Sequence, residues 1–207
     1  MELRSRFDNT LRHWTSDSEE INRRWDELFK NYTQKFRAYH NLTHLDEIFH
    51  YFDSYCMEMD EPNEVAYAIF YHDIIYSIWK KDNEEKSADM AIAHLESYNA
   101  PKKNIQNIQT HILATKSHNA TRKDTQWMVD FDLAILGQSW DIYAAYSKHI
   151  RKEYQKVPSM LYYPGRKKVL AHFLAKNKIY TTQTFQDMYE SQARKNLATE
   201  LESISKR

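Results

Sequence analysis

The sequence predicts an all-α protein, and both its composition and its hydrophobic periodicity support that class. The 207 residues include only two glycines and four prolines, so few positions favour tight turns or interrupt helices. Residues with high helix propensity, such as Glu, Lys, Ala, Leu and Gln, make up much of the rest. Apolar residues recur three and four positions apart nearly throughout, which is typical of helices that bury one face.

The first part of the chain predicts a series of amphipathic helices. One or two opening helices fall between residues 7 and 32. Asn41 is a favourable N-cap for the next helix. Pro62 suits the first turn of another helix, whose inner face continues through His72 to Tyr76. These two helices place histidines on their buried faces.

The middle of the chain continues the same pattern. Asn83 begins one helix, and Pro101 begins another that ends near residues 115 to 118. A further helix follows, for which Gly137 suits a C-terminal cap, and a new helix starts at Ser139.

The last part of the chain predicts a loop and two helices. The loop contains Pro158 and Pro164, and the helices follow it. Residues 179–182 are the one segment with strand-like composition, and they are too few to change the fold class. Without an internal repeat or linker, a single domain over residues 1–207 is expected.

Charge and cysteine content exclude several classes of function. Lys and Arg number 29, as do Asp and Glu, so no global charge attracts nucleic acid or a membrane surface. No apolar run approaches the ~18 residues that a membrane helix requires. Cys56 is the single cysteine, and the N-terminus has no apolar signal sequence. A soluble cytoplasmic protein is expected, and its aromatic content permits a homo-oligomer.

Histidine and aspartate occur in an order that indicates a metal site. His44 stands in the first turn of one predicted helix, the pair His72 and Asp73 lies on another, and Asp132 is on a third. A divalent metal binds imidazole and carboxylate ligands that converge from separate elements. Asp130 competes with Asp132, because residues two apart on a helix face nearly opposite ways and only one should coordinate.

Four further segments extend this pattern: YHNLTHL (residues 39–45), FYHDIIY (70–76), DNEEKSA (82–88) and DFDLAILG (130–137). Together they resemble a bacterial family of predicted metal-dependent HD-superfamily phosphohydrolases, which are distantly similar to cyclic-nucleotide phosphodiesterases. The resemblance extends over roughly residues 25 to 201. It implies a single HD-domain helical bundle with additional N- and C-terminal helices, and a divalent cofactor from among Mn, Mg, Co, Ni, Fe and Zn.

The resemblance also implies roles for individual residues. The metal ligands are His44, His72, Asp73 and Asp132, the last preferred over Asp130. His40 corresponds to the histidine that protonates the leaving oxygen in the phosphodiesterases; the alternative is that it only hydrogen-bonds a carboxylate ligand. Glu84 or Glu85 would be the general base or would orient the attacking water. His118 would bind a second metal ion, with His111 as a weaker candidate. Lys116, Arg151 and Arg166 would bind the substrate phosphate.

The expected function is metal-dependent hydrolysis of a phosphate ester, most simply a nucleotide or a small phosphomonoester. Two other functions stay open. The first is an HD-type di-iron oxygenase, which needs the additional histidines. The second is a non-catalytic HD module that binds a nucleotide or a protein partner. The sequence contains no Gly-x-Ser-x-Gly or His-Glu-x-x-His motif, so esterase and protease chemistry have less support.

Overall fold

The computed structural model of this chain describes residues 2–206, and these residues form helices joined by turns and loops. They contain no β-strand, so the prediction of an all-α protein is confirmed. Residues 179–182 are irregular backbone, in which the amides of Ile179 and Tyr180 donate to the carboxylate of Glu190. None of the described helices is both long enough and apolar enough to cross a bilayer.

The chain divides into two compact units, the first ending at Phe131 and the second beginning at Asp132. The boundary falls inside a single helix. The prediction of one HD-type domain therefore stays a prediction. The helices of unit 1 are α1 (Leu3–Leu11), α2 (Ser18–Tyr32), α3 (Leu42–Tyr55), α4 (Pro62–Tyr71), α5 (Asn83–Ser97), α6 (Lys102–Ser117) and α7 (Lys123–Leu133), which crosses the boundary. Those of unit 2 are α8 (Trp140–Glu153), α9 (Ser159–Ala175) and α10 (Gln183–Ser205).

Helix α4 is the most buried helix of unit 1. Residues 65–71 are all buried, and α4 packs against α1, α3, α5 and α6. Its sequence explains this position, because a helix that is apolar on every side is stable only when it is surrounded by other elements. The residues that follow α4 are therefore held at a fixed place within the unit.

Helix α4 ends earlier than the sequence pattern predicts. The expectation that it continues through His72 to Tyr76 is wrong: the helix ends at Tyr71, and His72 is its C-cap. Ser87 accounts for the early end, because its hydroxyl accepts a hydrogen bond from the amide of Ile75 at 3.1 Å. A longer helix would bond that amide to the carbonyl of Tyr71. The guanidinium of Arg37 holds the chain beyond the helix end, since it donates to the carbonyl oxygens of Asp73 at 2.7 Å and of Ile74 at 2.9 Å. His72 and Asp73 thus lie at a helix end, outside the regular spacing of about 100° per residue.

Gly137 has a different role from the one predicted. It ends a 3-10 turn, Ala134–Gly137, that packs against α10, and no described glycine has a positive φ. Gly137 does stand at the end of a helical segment, as predicted, but its backbone is not left-handed, so helix capping is not the reason for a glycine here. A Cβ at this position would overlap the Cβ of Tyr189 and lie 2.9 Å from the hydroxyl oxygen of Tyr180. Glycine is required here by the close approach of α10.

Helix α9 begins before the position that the prolines predict. Pro158 is its N-cap, but Pro164 lies inside the helix and not in a preceding loop. A proline within a helix removes one backbone hydrogen bond, here the bond to the carbonyl of Met160. Met160 is 88% exposed, near the helix start. The helix can include Pro164 because this loss falls in its exposed first turns.

Candidate metal centre

The first turn of α3 places His44. The side chain of Asn41 accepts a hydrogen bond from the amide of Thr43 at 2.9 Å, so the predicted N-cap is confirmed. This cap fixes where the helix begins, and His44 shares its buried face with Leu45 and Ile48. The side chain of His44 is buried, and its ring centroid lies 5.5 Å from that of His72.

The protonation pattern of His72 suits a metal ligand. Its Nδ1 lies 2.8 Å from the carbonyl oxygen of Ile69, one turn back along the chain. A carbonyl oxygen only accepts hydrogen bonds, so Nδ1 carries the hydrogen and Nε2 of the neutral ring keeps its lone pair. A backbone carbonyl commonly orients metal-bound histidines in this way. The end of α4 therefore presents Nε2 as the donor atom of a buried imidazole.

Three of the predicted ligands form one group. His44, His72 and Asp132 each offer a donor atom, and these atoms lie within 4.8 Å of one another. Asp132 belongs to the last turn of α7, so the group is built from the start of α3, the end of α4 and the end of α7. Between the two competing aspartates, Asp132 is the one that joins the histidines, and Asp130 is fully buried. Two imidazoles and one carboxylate are a donor set that suits a borderline divalent ion.

Asp73 and His40 lie next to these histidines. The Oδ2 atom of Asp73 is 3.4 Å from Nε2 of His72 and 4.0 Å from Nε2 of His40. The ring of His40 lies 5.9 Å from that of His44 and 4.4 Å from that of Tyr76. The structure therefore brings together His40, His44, His72 and Asp73 within unit 1, although His40 and Asp73 are 33 positions apart in the sequence.

Glu84 and Glu85 begin α5, as the sequence predicts, and they differ in environment. Burial raises the pKa of Glu84 above its ordinary value, and the nearby negative charge of Asp73 raises it further. The hydrogen bond from Lys116 lowers the pKa of Glu85, which is more exposed. Lys116 Nζ lies 3.9 Å from a carboxylate oxygen of Glu84 and donates to the carbonyl of Lys81 at 2.6 Å. Glu84 is thus the glutamate that faces Asp73.

Arg37 is a site residue that the sequence analysis missed. Besides the carbonyls of Asp73 and Ile74, its guanidinium donates to the carbonyl of His40 at 3.2 Å. It is 5% exposed and lies over the ring of Tyr76. One buried side chain therefore positions the backbone of both His40 and Asp73. Its place three residues before His40 was the available signal, but nothing in the sequence indicates that its partners are carbonyls.

The histidines predicted for a second metal ion lie outside the three-residue group. His118 is the C-cap of α6 and has a left-handed backbone, with φ of 51°. His111 is buried, and its Nδ1 lies 2.9 Å from the hydroxyl of Thr125. Burial lowers the pKa of His111 to about 4. Within residues 2–206 the metal-binding group has one histidine from α3, one from the end of α4 and one aspartate from α7.

The two arginines predicted to bind phosphate both lie in unit 2 and have structural partners there. Arg166 is 8% exposed and donates to both carboxylate oxygens of Glu200 at 2.8 Å. Arg151 donates to the carbonyls of Tyr154 at 2.6 Å and Val157 at 3.3 Å, which orders the chain after α8. Their guanidinium groups are therefore engaged within the protein, and their predicted role in substrate binding stays a prediction.

Comparison with known proteins adds no relative to this description. No protein-family model, no curated protein and no solved structure matches the chain. The interpretation of the site therefore depends on its geometry and its chemistry.

Proposed function

We propose that this protein is a metal-dependent hydrolase of a phosphate ester and that His44, His72 and Asp132 hold its divalent ion. One observation carries the proposal: donor atoms from three separate helices lie within 4.8 Å of one another. Because His72 presents Nε2 with its lone pair, this ligand can bind a divalent ion without any change of tautomer. Asp73, with Oδ2 3.4 Å from that nitrogen, is the proposed fourth ligand.

The chemistry that such an ion supplies is a lower pKa for a bound water and polarisation of a phosphoryl oxygen. The protein side chains supply the proton transfers. His40 stands beside Asp73 at the edge of the group and donates the proton from Nε2 to the leaving oxygen, a role that imidazole side chains commonly have in catalysis. Arg37 fixes the backbone of His40 and of Asp73, so it positions both groups relative to each other. Glu84 accepts a proton from the attacking water, because its raised pKa matches that role.

The loop after Asp73 supports a substrate that carries an aromatic base. Tyr76 anchors the loop against the His40 ring, and Ser77 and Asn83 exchange two hydrogen bonds at 3.0 and 3.1 Å. Between these fixed points the indole of Trp79 is 64% exposed. Exposed aromatic rings stack on nucleobases, each contact contributing about 1–3 kcal/mol. A nucleotide is therefore the proposed substrate in preference to a small aliphatic phosphomonoester.

The test combines metal analysis with activity. Purified protein is measured for bound metal and assayed with manganese, cobalt or magnesium against nucleoside monophosphates and glycerol phosphate. His44→Ala should lose both the metal and the activity, whereas His50→Ala, an exposed histidine of the same helix, should retain both. Circular dichroism shows whether each variant remains folded. Equal activity in the two variants would contradict the site, and two iron ions per chain with oxygen uptake would replace hydrolysis by oxygenase chemistry.

Substrate preference has its own test. Trp79→Ala should lower kcat/KM for a nucleoside monophosphate by about tenfold, which corresponds to about 1.4 kcal/mol of stacking. The same variant should leave the hydrolysis of glycerol phosphate unchanged. An equal loss for both substrates would show that Trp79 supports the loop and does not contact a base.

A further inference from the structure

Unit 2 contains a cavity that the proposed hydrolase chemistry does not use. Its volume is about 290 Å³, and it lies between α8, the first turns of α9 and the end of α10. Small-molecule sites usually begin at about 300 Å³ and combine apolar or aromatic walls with a few polar groups. This cavity has that composition. Its walls include the rings of Trp140, Tyr162 and Tyr163 and the charged groups of Lys148, Arg151 and Glu200.

The carboxylate in this cavity is already neutralised. Glu200 is 6% exposed and receives both hydrogen bonds of the Arg166 fork at 2.8 Å. The hydroxyls of Ser147 and Tyr143 also donate to it. Burial with these partners makes Glu200 a fixed wall of the cavity whose charge is balanced by an arginine. It therefore neither attracts a cation nor repels an anion strongly.

The two remaining charges in the cavity are both positive, and only one of them is held by hydrogen bonds to the backbone. Arg151 is fixed by the carbonyls of Tyr154 and Val157, and its guanidinium lies 4.6 Å from the centre of the Tyr162 ring. Lys148 is exposed, one helical turn before Arg151, and its ammonium forms no ion pair within residues 2–206. The cavity thus offers aromatic surfaces beside an ammonium group that can bind an anion.

We propose that this cavity binds a small aromatic carboxylate of one or two rings. The ring contacts the indole of Trp140 and the phenol rings of Tyr162 and Tyr163, and the carboxylate binds Nζ of Lys148. The volume limits the ligand to that size. Lys148, Trp140 and both tyrosines belong to unit 2, and the proposal makes no use of the candidate metal ligands. It stands whether or not the protein is a phosphohydrolase.

The test uses 1-naphthoate as the probe and the full-length protein, with binding measured by calorimetry in the presence of EDTA. Lys148→Gln should weaken binding about tenfold or more, the contribution expected of a hydrogen bond to a charged group. Lys152→Gln changes an exposed lysine one turn further along α8, outside the cavity, and should leave the affinity unchanged. The neutral analogue 1-naphthylmethanol should bind to the wild type as weakly as 1-naphthoate binds to Lys148→Gln.

Tryptophan fluorescence locates the bound ring. 1-Naphthoate should quench the emission of the wild type and of Trp79→Leu, and most of that quenching should disappear in Trp140→Leu. Absence of saturable binding, or equal affinity in Lys148→Gln and Lys152→Gln, would overturn the proposal. Loss of hydrolase activity in the metal-ligand variants would leave it unaffected, so the two proposals fail separately.

Discussion

Acidification should destabilise unit 1 through His94. Burial lowers the pKa of this histidine to about 4, and the positive charge of Arg24 contributes to the shift. Nε2 of His94 accepts a hydrogen bond from Arg24 at 2.7 Å, since a guanidinium only donates, so Nδ1 donates to the hydroxyl of Tyr71 at 2.8 Å. A proton on Nε2 would end the first of these bonds. Glu20 and Glu27 face the same cluster and oppose the shift only in part.

The sign and size follow from linkage. The unfolded chain binds a proton on this histidine near pH 6.5 and the folded protein only near pH 4, so stability is complete above pH 6.5 and falls as the pH drops towards 4. Between pH 8 and pH 5 the loss from this one group is about 2 kcal/mol. It is measured as the change in the free energy of urea unfolding between those two values.

Two variants isolate the contribution of His94. His94→Gln should be less stable at pH 8, because it loses a buried ring, but its loss between pH 8 and pH 5 should be smaller than that of the wild type by about 2 kcal/mol. His149→Gln removes an exposed histidine of α8 and should keep the wild-type pH dependence. If His94→Gln and the wild type lose the same free energy on acidification, the buried neutral histidine is not the cause.

Three further substitutions test the packing. Arg166→Met should destabilise the protein by about 3–5 kcal/mol in urea unfolding, because Glu200 would stay buried without its partner. Adding Glu200→Leu should restore most of this stability, and an equal loss in the double variant would refute the reasoning. Gly137→Ala should lower stability by about 1–3 kcal/mol through overlap with Tyr189. The control is Gly165→Ala, where a Cβ meets no atom within 4 Å, and the unfolding midpoints of the two variants are compared. Asp124→Ala removes the acceptor for the amides of Asp60 and Glu61, which donate to it at 3.0 and 2.8 Å. This loss should reduce stability by about 1–3 kcal/mol. An unchanged unfolding midpoint would show that water replaces the carboxylate.

Local signals in the sequence predicted several helix boundaries. Asn41 caps α3, because capping depends on a side chain and the backbone within a few residues of it. Helix α5 begins at Asn83, as predicted, although the residue at its N-cap position, Asp82, makes no side-chain cap. The end of α4 was not predictable in this way. It depends on Ser87, which lies 12 positions after the Ile75 amide that it binds. The hydrophobic pattern continues past Tyr71, whereas the helix does not.

The candidate site was predictable in its residues and not in their contacts. The order of His44, His72 and Asp132 indicated which side chains should converge, and the structure brings these three together. The partners of the predicted cations were not visible, because an isolated arginine or lysine carries no sign of what it pairs with. Arg166 pairs with Glu200, 34 positions away, and Lys116 pairs with Glu85, 31 positions away. Long-range pairing of this kind is decided by the tertiary packing.

The charges around the metal-binding group indicate what binds first. Asp132 and Asp73 bring carboxylates to the two histidines, and Glu84 lies close enough to Asp73 for their charges to interact. Lys116, the predicted phosphate-binding cation of unit 1, is paired with Glu85. Without an ion, these carboxylates repel a phosphate group, because like charges in a partly buried site are screened poorly. Phosphate esters should therefore bind only after the divalent ion, and calorimetric titration of a nucleoside monophosphate should show binding in manganese and none in EDTA.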